Sequence, residues 1–290
     1  LQKSDIIDNF FVCLGAQKSG TTWLARMLAG HPDLFLTPVK ELHYFDHLAG
    51  ITQHLSDKKR HSRYRKYHQR LWTQPRRFAT HKAQWRWYKD YMDDPIDDDW
   101  YRSLFRQRAG RTFAGEVTPE YAIIGKTGYQ HLRRLAPDVR LLFIMRNPVA
   151  QAWSQLLHHC RSNGIDAAGL STGEITTLLQ QPRFAEISDY DTTLRNLGEA
   201  FAQEQLLTLF YEDMHEGRAR ALRRVCEFIG IGFDAAWFPE PEQRYNKSQS
   251  AAMPEPVRHY LRATHRPLAM AIEARLGTIP QSWRDEFGGP

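Results

Sequence analysis

The run Gly15-Ala16-Gln17-Lys18-Ser19-Gly20-Thr21-Thr22-Trp23-Leu24 follows a short apolar stretch and leads into a helical pattern. A glycine-bounded turn between strand and helix aims several backbone N–H groups at one point. The helix N-terminus adds partial positive charge there, so the turn suits a phosphate. The glycines let the backbone approach the anion, and the Thr hydroxyls can donate further hydrogen bonds. The nucleotide-triphosphatase loop G-x-x-x-x-G-K-[ST] has the same glycine spacing. Here Thr21 stands at its lysine position, and the lysine sits inside the turn at Lys18.

A second anion site is written further along. Leu141–Met145 reads as a buried strand running into Arg146-Asn147-Pro148, and the helix after it carries Ser154, eight positions past the arginine. Arg146 leaves the strand at its carboxyl end, where open α/β sheets bind ligands. Ser154, about two turns into the helix, can face the same pocket. Guanidinium plus hydroxyl suits a ribose 3′-phosphate. Between these sites lies Lys40-Glu41-Leu42-His43-Tyr44-Phe45-Asp46. If that segment is extended, Glu41 and His43 share a face and point together toward Lys18. A glutamate raised in pKa by burial, or a histidine, can then take a proton from an attacking group.

The elements that must hold these residues follow from apolar runs. Phe10–Leu14, Leu34–Leu36, Thr112–Gly115, Leu141–Met145 and Leu206–Phe210 read as five short strands. Helical patterns at 23–28, 126–135, 149–161, 192–202 and 219–229 alternate with them. The expected fold is three-layer α/β, a parallel sheet of about five strands with helices on both faces. Residues 52 to about 108 break the rhythm with Lys, Arg, Trp and Tyr, as in Lys58-Lys59-Arg60-His61-Ser62-Arg63-Tyr64-Arg65-Lys66. They read as inserted helices, either a solvated basic face or a wall that attracts an anionic ligand. The acidic stretch 93–99 reads as a turn and helix start, since its spacing does not match a calcium loop. The 290 residues are thus expected to form one domain carrying that insertion.

The composition is that of a globular chain, and its formal charge of +6 favours anionic partners. The three cysteines, Cys13, Cys160 and Cys226, are too few for a disulfide framework and read as reduced, buried thiols. No Cys/His cluster has zinc spacing, so no metal is expected. No stretch approaches the roughly 20 apolar residues of a membrane span. No leader pattern opens the sequence, so a cytoplasmic location is expected. The sequence starts at Leu1 rather than Met, which leaves an upstream anchor open.

Taken together, these segments resemble the PAPS-dependent sulfotransferases, enzymes that move a sulfuryl group from adenosine 3′-phosphate 5′-phosphosulfate and release PAP. Residues 15–24 resemble that family's 5′-phosphosulfate loop. The resemblance implies that Lys18, Ser19, Gly20, Thr21, Thr22 and Trp23 hold the donor, with Lys18 beside the bond that breaks. Arg146 and Ser154 match its 3′-phosphate motif. Tyr211, in Phe210-Tyr211-Glu212-Asp213-Met214, matches a tyrosine near the adenine. Tyr245-Asn246-Lys247-Ser248 is similar to a C-terminal nucleotide-closing loop. Heparan-type members carry a Glu-x-His-x-x-Asp segment whose glutamate is the base. That implies Glu41 as base, His43 second, and Asp46 as an acceptor-side or orienting group. Gly115-Glu116-Val117-Thr118-Pro119 resembles the acceptor-side Glu-Lys-Ser/Thr-Pro segment, making Glu116 and Thr118 candidates to meet the acceptor. Val117 stands where glycan-modifying members have lysine, which counts against a heparan-like acceptor.

The implied acceptor is a small molecule, lipid or carbohydrate bearing a hydroxyl or amine, with no nucleic-acid partner and no metal. Two rivals compete. A P-loop kinase or nucleotide triphosphatase predicts lysine at position 21 and a magnesium-holding acid. A non-catalytic module binding glycan or RNA would use the basic, aromatic 54–89 stretch, but leaves the phosphate loop and Arg146/Ser154 unexplained.

Overall fold

The five apolar runs become five parallel strands: β1 Phe10–Gly15, β2 Leu34–Leu36, β3 Phe113–Val117, β4 Arg140–Met145 and β5 Leu206–Phe210. Their order in the sheet is β2-β3-β1-β4-β5. In this computed structural model the described residues are 6–73, 78–108, 110–238 and 251–288, without the side chains of 70–73 and 78–83. Each strand is too apolar to face water on either side, so the chain crosses over through helices and covers both faces. The alternation along β1 is direct: Phe10, Val12 and Leu14 join one core cluster, while Phe11 and Cys13 join another.

The helices that share the second cluster are α1 (Thr21–Leu28) and α12 (Arg218–Ile229), through Leu24, Met27, Leu28, Leu222, Val225 and Ile229. The opposite face is divided. α7 (Pro148–Ser162), α10 (Tyr190–Ala200) and α13 (Glu255–Leu276) pack near Phe143 and Met145 of β4. α6 (Gly125–Leu135) and the insertion cover β1 and β3. The three-layer α/β expectation is met, and so are the five strands. β3 runs two residues beyond the expected Gly115, to include the buried Glu116.

The insertion is helical: α3 Asp57–Thr73, α4 Phe78–Tyr91 and α5 Asp98–Ser103, after the short α2 (Tyr44–Leu48). Lys58, Lys59, Arg65 and Lys66 are exposed, as a solvated face requires. The inward side is aromatic, with Trp87 stacked on Tyr91 at 5.2 Å and Tyr44 on Tyr101 at 4.6 Å. Arg60, 1% exposed, is the pin. It donates to the carbonyls of Tyr91 and Asp93 at 3.2 and 2.9 Å and to Asp57 and Asp94 at 3.1 and 2.6 Å. The acidic stretch is the expected helix start, with Asp97 capping α5 through the Trp100 amide. All three cysteines are free and buried. Among the described residues no helix is long and apolar enough to cross a membrane.

Candidate active site

Each strand delivers one piece of chemistry at its carboxyl end, and the phosphate loop sits at the centre. β1 lies between β3 and β4, the switch point where such sheets leave a crevice. Its pairing with β4 slips between Cys13 and Gly15, which frees the chain to turn. Gly20 then stands at the N-cap of α1 at φ 83°, where it has no side chain to cap the helix itself. A Cβ at Gly20 would meet Met214 at 2.9 Å and the Tyr211 ring at 3.1 Å. Only glycine lets the loop approach the segment after β5 so closely. Lys18 is also left-handed, at φ 65°. Ser19 and Thr21 are buried, and Thr22 is half-buried. Trp23 lies in the core layer against α12, with the Arg218 guanidinium 5.9 Å from its ring centroid.

Arg146, from the end of β4, reaches this loop. Its Nη1 donates to the Lys18 carbonyl at 2.9 Å, and its guanidinium carbon lies 4.7 Å from the Tyr211 ring centroid. Neighbours fix it: the Tyr190 hydroxyl donates to the Arg146 carbonyl at 3.0 Å, and the Asn147 amide donates to Glu212 at 2.9 Å. Asn147 caps α7 through the amides of Val149 and Ala150. Ser154 is half-buried on that helix. Lys18, Arg146 and Tyr211, from three separate segments, are therefore brought together. The segment Tyr245, Asn246, Lys247 and Ser248 lies outside the described residues.

The Lys18 ammonium is pushed below its ordinary pKa by burial, then by Arg161 and Arg146, against the opposing pull of Glu41. His158 is lowered by burial and by the same Lys18 and Arg161. Ser154, His158 and Arg161 are four and three residues apart on α7, the spacing of one helix face. That spacing was available in the sequence as a signal for His158 and Arg161. Tyr190 and Glu212 carried none, because their roles depend on contacts across the sheet.

Opposite Lys18, the loop after β2 is not extended. Glu41 and His43 both stand at positive φ, 64° and 62°, so period-two alternation does not describe them. They meet nonetheless: His43 Nε2 is 3.8 Å from Glu41 Oε2, and His43 Nδ1 is 3.0 Å from Asp46 Oδ2. Thr52 also donates to that Asp46 oxygen. Exposure grades this chain, with Glu41 34%, His43 2% and Asp46 0% open to solvent. Lys40 pairs with Glu41. Glu116 and Thr118, read as acceptor contacts, are 1% and 0% exposed beneath the loop. Glu116 accepts hydrogen bonds from Tyr101, Tyr121 and Thr118.

Behind His43, the His54 ring lies at 4.2 Å, and Glu120 Oε2 is buried with no hydrogen-bond partner among the described residues. His54 is lowered to about 4 by burial and then by His43. Among the described residues His43, His54 and Glu120 form the group that could hold a metal ion, their ligand atoms within 4.8 Å of one another.

Residues 11–235 match the family described as "Sulfotransferase family". A sulfotransferase from Alicyclobacillus acidocaldarius has a similar structure, with a TM-score of 0.65 at 23% identity over 96% of this chain and 99% of that one. The sulfotransferase domain of the Synechococcus PCC 7002 olefin synthase gives 0.54 at 21% identity, over 89% and 85%. The sulfotransferase domain of the curacin biosynthetic pathway gives 0.55 at 20%, over 85% and 81%. At these identities the likeness is one of fold. No curated protein matches the sequence.

Proposed function

The chain belongs to the sulfotransferase family, and from that premise we propose that it moves the sulfuryl group of PAPS to a hydroxyl or amine of a small-molecule, lipid or carbohydrate acceptor. One observation carries the reading. Arg146 bonds the backbone of Lys18 while resting on Tyr211, which supports a single cleft with two phosphate sites and an aromatic platform. In this reading the 5′-phosphosulfate sits on the amides of 18–22, the 3′-phosphate on Arg146 and Ser154, and the adenine near Tyr211.

The transfer is an in-line displacement, in the logic of phosphoryl transfer. The acceptor oxygen or nitrogen bonds to sulfur as the bond from sulfur to the 5′-phosphate oxygen breaks. The leaving electron pair stays on PAP, where Lys18 and the α1 amides meet it. The acceptor's proton goes to Glu41, the exposed member of the Glu41–His43–Asp46 chain. His43, closed off from solvent and bonded to Asp46, orients and polarises Glu41 from behind. A lysine crowded by burial and by Arg161 and Arg146 gains most when a polyanion enters, which favours the donor over neutral nucleosides. Charge balance comes from Lys18 and backbone amides, and the reaction as proposed draws on no metal.

A thermal-shift panel tests this. PAP should raise Tm selectively, because stabilisation follows occupancy, while ATP with Mg²⁺, heparin and a short oligonucleotide should not. A shift with ATP-Mg²⁺ and none with PAP would reject the reading.

A further inference from the structure

Glu41 and His43 occupy a backbone region that residues with a Cβ disfavour, and two bonds from beneath oppose the loop's relaxation. The Leu42 amide donates to Thr118 Oγ1 at 3.1 Å, and the Tyr44 amide donates to the Tyr121 hydroxyl at 3.0 Å. These are the amides that follow each left-handed residue. Both hydroxyls pass their own protons to one group: Thr118 donates to Glu116 Oε2 at 2.7 Å and Tyr121 to Glu116 Oε1 at 3.0 Å. Tyr101, from α5 of the insertion, donates to Oε1 as well.

We propose that Glu116 and Thr118 are positioning residues, which set the Glu41–His43 loop from below through the amides of Leu42 and Tyr44. The donor count supports this. Each hydroxyl has one proton and accepts from a backbone N–H, so it must donate downward, and a carboxyl oxygen of Glu116 stands opposite each of them. Glu116 and Thr118 are sealed from solvent, so neither can touch an acceptor in this arrangement. The strut also shares a foundation with the phosphate loop. The Thr118 amide donates to the Cys13 carbonyl of β1 at 3.1 Å. A Cβ on Gly15 would meet Pro119 O and Ala122 Cβ at 3.0 Å. The turn at 118–122 therefore fixes the height of Glu41 above Lys18.

This assignment rests on the sulfotransferase reading, and the experiment separates the two. Thr118→Val removes the acceptor for the Leu42 amide at almost constant shape, Thr118→Ser restores it, and Glu116→Gln places a donor where both hydroxyls donate. Donor affinity is read with PAP, turnover with ³⁵S-PAPS and a panel of alcohols, sugars and amines, and loop position by hydrogen exchange at 42 and 44. Thr118→Val should lower kcat about tenfold or more and speed exchange at Leu42 about fivefold, with PAP affinity kept within about twofold. Thr118→Ser should return both to near wild type, and Glu116→Gln should loosen both amides. Unchanged turnover and exchange in Thr118→Val, or loss that Thr118→Ser does not rescue, would overturn the assignment. A wild-type protein that ignores PAP would instead sink the sulfotransferase reading, leaving the exchange data to judge the strut alone.

Discussion

The two walls of the proposed cleft are built differently. The donor wall, at β1, β4 and β5, is made of short local devices: a glycine turn, a helix start and a strand that runs straight into an arginine. The acceptor wall, at β2 and β3, is made of long-range bonds, in which residues 42 and 44 hang from residues 118 and 121. A phosphate needs amides and cations, which a ten-residue motif can supply. Glu41, the proposed base, stands against its own backbone preference and needs a scaffold from elsewhere in the chain. Changes on the donor wall should therefore show in nucleotide affinity, and changes on the acceptor wall in turnover.

The largest effect should come from the acceptor wall. Glu41→Gln should lower transfer by about 10²–10⁴, the usual worth of a general base, while PAP affinity stays within about twofold. Equal loss of both, measured by titration calorimetry and ³⁵S transfer, would make Glu41 a binding or structural residue.

Next is a pH dependence of stability peculiar to the acceptor wall. Burial pushes Glu116 up to about 7 from 4.5, against hydrogen bonds from Tyr101, Thr118 and Tyr121, with Asp46 adding to the rise. The folded state then binds this proton more tightly than the unfolded state. The stabilisation is full below about pH 4.5 and is lost as pH rises through about 7. It amounts to something on the order of 3 kcal/mol. Denaturant melts across pH 4.5–8 should show this slope flattened in Glu116→Gln. An identical slope in the variant would place the titration elsewhere.

On the donor wall, Arg146→Ala should weaken PAP about 10- to 100-fold by removing a charge-assisted contact, with turnover at saturating donor largely kept. Unchanged affinity would remove Arg146 from the nucleotide site. The smallest effect compares two left-handed glycines. Gly20, at φ 83°, faces Met214 and Tyr211, whereas Gly50, at φ 69°, has none of the described residues within 4 Å of an added Cβ. Gly50→Ala should cost about 1 kcal/mol of backbone strain alone. Gly20→Ala should cost about 1–3 kcal/mol and also weaken PAP. Equal costs would mean that the loop does not need its close approach to Tyr211.

The same asymmetry governs what could be read in advance. The strands and the phosphate loop announce themselves in runs of a few residues, and Arg146 follows its strand directly. β3 outruns its apolar run because Glu116 interrupts the pattern, and the Tyr101, Tyr121 and Thr118 hydroxyls that make a buried carboxylate tolerable there meet it only in the fold. The alternation of the Glu41/His43 segment predicts extended backbone, whereas both residues stand left-handed, with bonds at the amides of Leu42 and Tyr44. α13 shows no plain apolar period in the sequence, because its buried stripe, Val257, Leu261, His265, Ala269 and Ile272, includes a histidine and an alanine and the helix runs through Pro267.

A crystal structure with PAP bound is the most direct test of a shared cleft. It should show one nucleotide, its 5′-phosphate on Lys18 and the amides of 18–22 and its 3′-phosphate on Arg146. PAP held away from either residue, or a triphosphate bridging them in its place, would contradict the donor site described here.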